Sequence, residues 1–154
     1  MKMRRLIFGL LLSGLLMLPV IVLGGEESSR VAQNISAAEA CSLIQEYHGK
    51  EGFVILDIRT PGEYDEGHIE GSENINYYSN DFTGRLKALD RERTYLIYCR
   101  SGGRSGRTLE LMKELGFLRV YNLIGGVTGW QKEGFSVTRP LVESAKIPIP
   151  YYAR

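Results

Sequence analysis

The run Cys99-Arg-Ser-Gly-Gly-Arg-Ser105 places a potential nucleophile in a loop of arginines, glycines and hydroxyls. An apolar stretch, TYLIYC, leads into it, so Cys99 stands where a buried strand is expected to end. Gly102 and Gly103 can adopt positive φ and curl the backbone, which points successive N–H groups inward and forms a nest for an anion. A helical pattern opens near Ser105 or Gly106, and its unpaired N–H groups and positive dipole end face the same spot. Arg100, Arg104 and Arg107 add formal charge around the rim. All of these features favour thiolate over thiol, and in such settings a cysteine pKa falls from about 8.5 to roughly 3.5–7.5. The chemistry expected of Cys99 is attack by an ionised sulfur.

A cradle of N–H groups and guanidiniums suits an oxyanion substrate, and two chemistries use one. A phosphatase loop sets five residues between its cysteine and its arginine. Here the sixth residue after Cys99 is Ser105, and the arginine comes one place early, at 104. The shorter ring cannot wrap the three oxygens of a phosphoryl group, but it can hold one added sulfur atom. The spacing favours sulfur transfer.

These residues need a scaffold. A chain of 154 residues, 44% hydrophobic and 24% charged, is long enough for one domain with its own core. The formal charge of +1 offers no basic stripe, so no nucleic-acid partner is expected. Short apolar runs at 53–58, 72–76, 94–99 and 119–123 read as strands. They alternate with helical patterns at 36–47, 61–66, 80–90, 105–115 and 126–132. That alternation predicts a mainly parallel sheet covered on both faces, with the site beyond the carboxyl ends of the strands. Cys99 occupies that position. Asp57 and Arg59 end another buried strand, where an unpaired charge is costly, so each should have a partner and border the pocket.

The first 25 residues follow a different pattern. Three cations in MKMRR precede eighteen uncharged positions, Leu6–Leu23, and the polar GGEESSR follows. These are the parts of an export signal, or of an uncleaved membrane anchor, so residues 30–137 are expected outside the cytoplasm. A membrane is a partner only through this segment, if it is uncleaved. Removing its three cations takes the formal charge from +1 to −2. Residues 138–154, with three prolines, read as an extended C-terminal extension. Cys41 falls on the apolar stripe of a helix capped by Ser36 and Glu39, which argues for a core thiol rather than a bridge to Cys99. Two separated cysteines and two separated histidines make no metal site, and neither metal nor cofactor is expected.

Three blocks resemble the single-domain rhodanese (thiosulfate sulfurtransferase) family: LDIRTPGEYDEGHIEGSENIN, YCRSGGRS and GFLRVYNLIGGVTGWQKEGF. The likeness spans about residues 35–137. It implies a rhodanese-like three-layer α/β fold with a central five-stranded sheet. It also implies a Cys99 persulfide, formed from a small anionic sulfur donor such as thiosulfate and emptied by a thiophilic acceptor such as cyanide. Backbone groups of Arg100, Ser101, Gly102, Gly103, Arg104 and Ser105 would hold the persulfide, with Arg100 and Arg104 orienting the donor. The alternative is a non-catalytic sulfur carrier or partner-binding module of the same family. Since a thiolate displacing sulfite needs no proton transfer, His68 is expected to stabilise a turn, and Trp130 to pack a helix against the sheet. Tyr77, Tyr78 and Gly106 depart from residues common in the family, which bears on acceptor specificity.

Overall fold

All five residues of Thr94–Tyr98 are buried, yet their side chains divide between two apolar clusters. Tyr95, Ile97 and the following Cys99 join one; Leu96 and Tyr98 join the other. This is the period-two geometry of a strand covered on both faces. The computed structural model describes residues 30–139, and the N-terminal apolar segment and residues 140–154 lie outside the described residues.

The elements run β1 (Val31–Ile35), α1 (Ala37–Tyr47), β2 (Phe53–Asp57), α2 (Pro61–Asp65), β3 (Ser72–Asn74), α3 (Phe82–Lys87), β4 (Thr94–Tyr98), α4 (Gly103–Glu114), β5 (Arg119–Leu123) and α5 (Gly126–Lys132). The sheet has five strands in the order β1-β5-β4-β2-β3, and every neighbouring pair is parallel. Helices α3 and α4 bring Phe82, Leu86, Leu109 and Met112 to one face. Helices α1 and α5 bring Ala37, Ala40, Val127 and Trp130 to the other. Fully burying one Leu or Ile side chain, such as Leu56 or Ile97, stabilises the fold by about 1.5–3 kcal/mol.

Four of the strands lie where the apolar runs put them. The fifth, β1, carries no such signal: Val-Ala-Gln-Asn-Ile is a polar edge strand in which only Ile35 is buried. Helix α1 starts as its capping box requires, with Ser36 Oγ accepting from the Glu39 amide and the Glu39 carboxylate accepting from the Ser36 amide. Cys41 packs with the α1–α5 side and Cys99 with the α3–α4 side, so the sheet separates these two free thiols. His68 and Thr138 exchange backbone hydrogen bonds of 2.9 and 2.8 Å, tying the chain beyond α5 to the turn before β3. The His68 ring stacks on Tyr64 and its Nδ1 donates to the Tyr64 carbonyl, which is a turn-holding role. Trp130 sits in the core and donates to the Ser136 carbonyl at 2.8 Å.

At the carboxyl end of the sheet two chain segments nearly touch. Gly125 and Gly126 have φ of 75° and 57°, and a Cβ on Gly126 would lie 2.3 Å from the Cys99 carbonyl oxygen. This approach lets the first amides of α5 satisfy the loop: Val127 donates to the Cys99 carbonyl at 2.9 Å and Thr128 to that of Arg100 at 3.1 Å. Gly126→Ala therefore combines a left-handed backbone penalty with overpacking against main chain. It should lower stability by about 3 kcal/mol, read from urea unfolding of variant and wild type.

Candidate active site

Strand β4 delivers Cys99 to the top of the sheet, and the chain must then turn into α4. Gly102 makes the turn with φ of 94°, a conformation that L-residues rarely adopt, and serves as the N-cap. The helix begins at Gly103, two residues earlier than the sequence pattern suggests, and Gly103 itself has ordinary helical φ. Gly102 alone supplies the positive φ expected of the pair. The early start wraps the first turn of α4 around the sulfur.

Cys99 is 1% exposed. Its Sγ accepts from the Gly102 amide at 3.1 Å and from Ser105 Oγ, fully buried, at 3.5 Å. Burial is the largest single influence on the thiol and pushes its pKa up. The Ser105 hydroxyl and the amides of Ser105, Ser101 and Gly102 act against it, and together they hold the thiol below its ordinary value. The loop thus stabilises a sulfur anion out of water. Arg100 and Ser101 project outward as exposed side chains. Arg107, one turn along α4, lines a separate depression with Tyr77 and Phe82 and lies away from this cradle.

Two arginines at the expected site, Arg59 and Arg104, are already paired. Arg59 Nε donates to both oxygens of Asp57 at 2.9 Å, its Nη2 to Oδ2 at 2.5 Å and to the Gly67 carbonyl at 2.7 Å. Both residues are buried, so the pair braces the turn after β2 from inside, and Asn74 fastens the same turn through the Asp57 and Arg59 carbonyls. The Nη1 and Nη2 of Arg104, the other loop arginine expected to orient a substrate, donate to Glu63 Oε2 and Oε1 at 2.9 and 2.7 Å, and Tyr78 lies over its guanidinium.

Glu63 is the residue that the sequence reading missed. Its Oε2 also accepts from the Thr60 amide and hydroxyl at 3.0 Å each, so one carboxylate caps α2 and clamps α4. The signal was present: Thr60-Pro-Gly-Glu63 is a capping box. Local pattern gives the cap but not the partner.

A cavity of about 250 Å³ opens beside the loop, with Arg59, Glu63, Glu66, Arg100, Thr128 and Gln131 among its walls. Depressions of 390 Å³ along β1 and α1, and of 410 Å³ beside Tyr47 and Arg93, contain no residue of the Cys99 loop. Chemistry therefore selects the smaller one. Among the described residues no group of acidic, histidine or cysteine side chains could hold a metal ion.

The Arg104 hydrogen bond holds the Glu63 carboxyl down to about 2, from an ordinary 4.5, with Thr60 assisting against burial. A depressed carboxylate stabilises the fold above its unfolded value and loses that effect as pH falls. The stability advantage of wild type over Glu63→Gln should be full above pH 4.5, shrink below it and vanish near pH 2. Thermal unfolding midpoints of both proteins across that range check it.

Comparison with known proteins agrees with this geometry. The rhodanese-like domain profile matches residues 36–133. A sulfurtransferase of Allochromatium vinosum is 30% identical over 106 residues, covering 69% of this chain and 97% of its own. Thiosulfate sulfurtransferase 16, chloroplastic, of Arabidopsis thaliana is 30% identical over 118 residues, covering 70% and 94%. The crystal structure of a rhodanese-related protein from Thermoplasma volcanium superposes with a TM-score of 0.57 at 30% identity, over 69% of this chain and 97% of that one. A family profile that matches most of the chain, and a relative at 30% identity covered almost end to end, show that the chain belongs to the rhodanese-like domain family.

Proposed function

We propose that this chain transfers sulfane sulfur from a donor such as thiosulfate to a thiophilic acceptor through a persulfide on Cys99. One observation carries the reading: a buried Sγ that accepts from the Gly102 amide and the Ser105 hydroxyl, with its thiol held below the ordinary value. Such a sulfur ionises more readily than an ordinary thiol, and the thiolate is the attacking form.

In the first half-reaction the Cys99 thiolate attacks the outer sulfur of thiosulfate. A new S–S bond forms at Cys99, the S–S bond of thiosulfate breaks, and its electron pair leaves with sulfite. The charge is conserved, because a thiolate and a dianion become a persulfide anion and sulfite dianion. In the second half-reaction an acceptor such as cyanide attacks the terminal sulfur, and the electron pair returns to Cys99 as thiolate. Approach of two anions costs about 4 kcal/mol per unit charge pair at ~4 Å in a medium of effective dielectric near 20. The exposed Arg100 guanidinium and the N–H groups of the loop offset that repulsion and favour departing negative charge. Arg104, paired with Glu63, positions the loop and contributes less free charge.

Wild-type protein exposed to thiosulfate should gain one sulfur atom by intact-mass measurement and lose it on adding cyanide, with thiocyanate released. Cys99→Ser should gain none. A serine variant that turned over would end the covalent mechanism, and a wild-type persulfide inert to cyanide would favour a sulfur carrier.

We further propose that the domain works outside the cytoplasm, on the strength of the basic start and apolar run of residues 1–25. The full chain fused to alkaline phosphatase, which needs disulfides to be active, should give active reporter. A chain without residues 1–25 should not.

A further inference from the structure

Pairing leaves two charges over at the site. Asp57 neutralises Arg59, and Glu63 neutralises Arg104. The remaining charges on the wall of the 250 Å³ cavity are Arg100, from the loop after β4, and Glu66, from the end of α2. Both are exposed, and neither side chain makes an ion pair or hydrogen bond among the described residues. Arg139 donates to the backbone carbonyl of Glu66 at 2.7 Å and forms no ion pair with its carboxylate. Thr128 and Gln131 add uncharged polar groups to the same wall. The cavity beside the Cys99 loop thus offers one unpaired cation and one unpaired carboxylate, carried by separate elements.

A dianion such as thiosulfate uses the first and is repelled by the second. A zwitterion uses both. We infer that the preferred donor is an amino-acid hydropersulfide, its carboxylate held by Arg100 and its ammonium by Glu66. This rests on the persulfide reading of Cys99 and specifies the donor for it. In the step, the Cys99 thiolate attacks the terminal sulfur of R–S–SH. The Cys99–S bond forms, the S–S bond of the donor breaks, and its electron pair leaves on the amino-acid thiolate. The proton stays on the transferred sulfur, so charge and electrons balance with no added oxidant or reductant.

The test is timed loading of Cys99, read by intact mass at sub-saturating donor and divided by each donor's rate with N-acetylcysteine. The donors are cysteine hydropersulfide, the hydropersulfide of 3-mercaptopropionate, which lacks the ammonium, that of cysteamine, which lacks the carboxylate, and thiosulfate. Cysteine hydropersulfide should lead each truncated donor by about tenfold, the worth of one charge-assisted hydrogen bond. Glu66→Gln should erase its lead over 3-mercaptopropionate, and Arg100→Gln its lead over cysteamine. Equal rates for the organic donors, a faster rate with thiosulfate, or a lead that survives Glu66→Gln would overturn the zwitterion while leaving the persulfide in place. If no donor loads Cys99, the persulfide reading fails and the inference fails with it.

Discussion

Easing the ionisation of a sulfur that is buried is the constraint to which the rest of the site answers. Burial opposes ionisation of Cys99, and a cluster of short dipoles overcomes it. Those dipoles act only if the chain reverses within three residues of the strand end, so that the Gly102 amide and Ser105 hydroxyl both face Sγ. The reversal needs the positive φ of Gly102. The outer carbonyls of Cys99 and Arg100, turned away by the same curl, need donors of their own. Val127 and Thr128 supply them, and Gly126 must lack a side chain for those amides to come close enough. One electrostatic requirement thereby reaches into a second loop.

Charge around the cradle follows a different logic. An anion nest surrounded by unpaired guanidiniums would attract any small dianion. Here two arginines are held by carboxylates: Arg59 by buried Asp57, and Arg104 by Glu63. The pairs turn potential substrate ligands into braces. Asp57–Arg59 fixes the turn after β2, and Glu63–Arg104 ties α2 to the first turn of α4. What stays unpaired on the cavity wall, among the described residues, is Arg100 and Glu66. The charge pattern at this end of the sheet is set by which charges are cancelled as much as by which are present.

Much of this was legible in the residues alone. The apolar runs placed β2, β3, β4 and β5, since two-faced burial demands continuous hydrophobicity and leaves a direct trace. Ser36 with Glu39 marked the start of α1 because capping is local, and the glycines after Cys99 announced a tight turn. Strand β1 left no trace, for it lies at an edge, buries only Ile35 and takes its order from pairing with β5. The start of α4 was misplaced by two residues, because whether Gly103 joins the helix depends on where the loop is pulled by its neighbours rather than on glycine's own preference.

The sequence by itself determined the layered parallel architecture, the cysteine at the end of its central strand and the tight turn that follows. Each of these follows from residue types within a few positions of one another. Tertiary structure decided which arginines are paired and which is left free among the described residues. Arg104 and Glu63 stand 41 residues apart, and nothing in either local stretch says that they meet. It also decided that Gly126 abuts the Cys99 carbonyl and that Arg100 and Glu66 share a cavity. Such meetings depend on how separate elements come together at the end of a sheet, and a Coulomb interaction reports distance in space rather than along the chain.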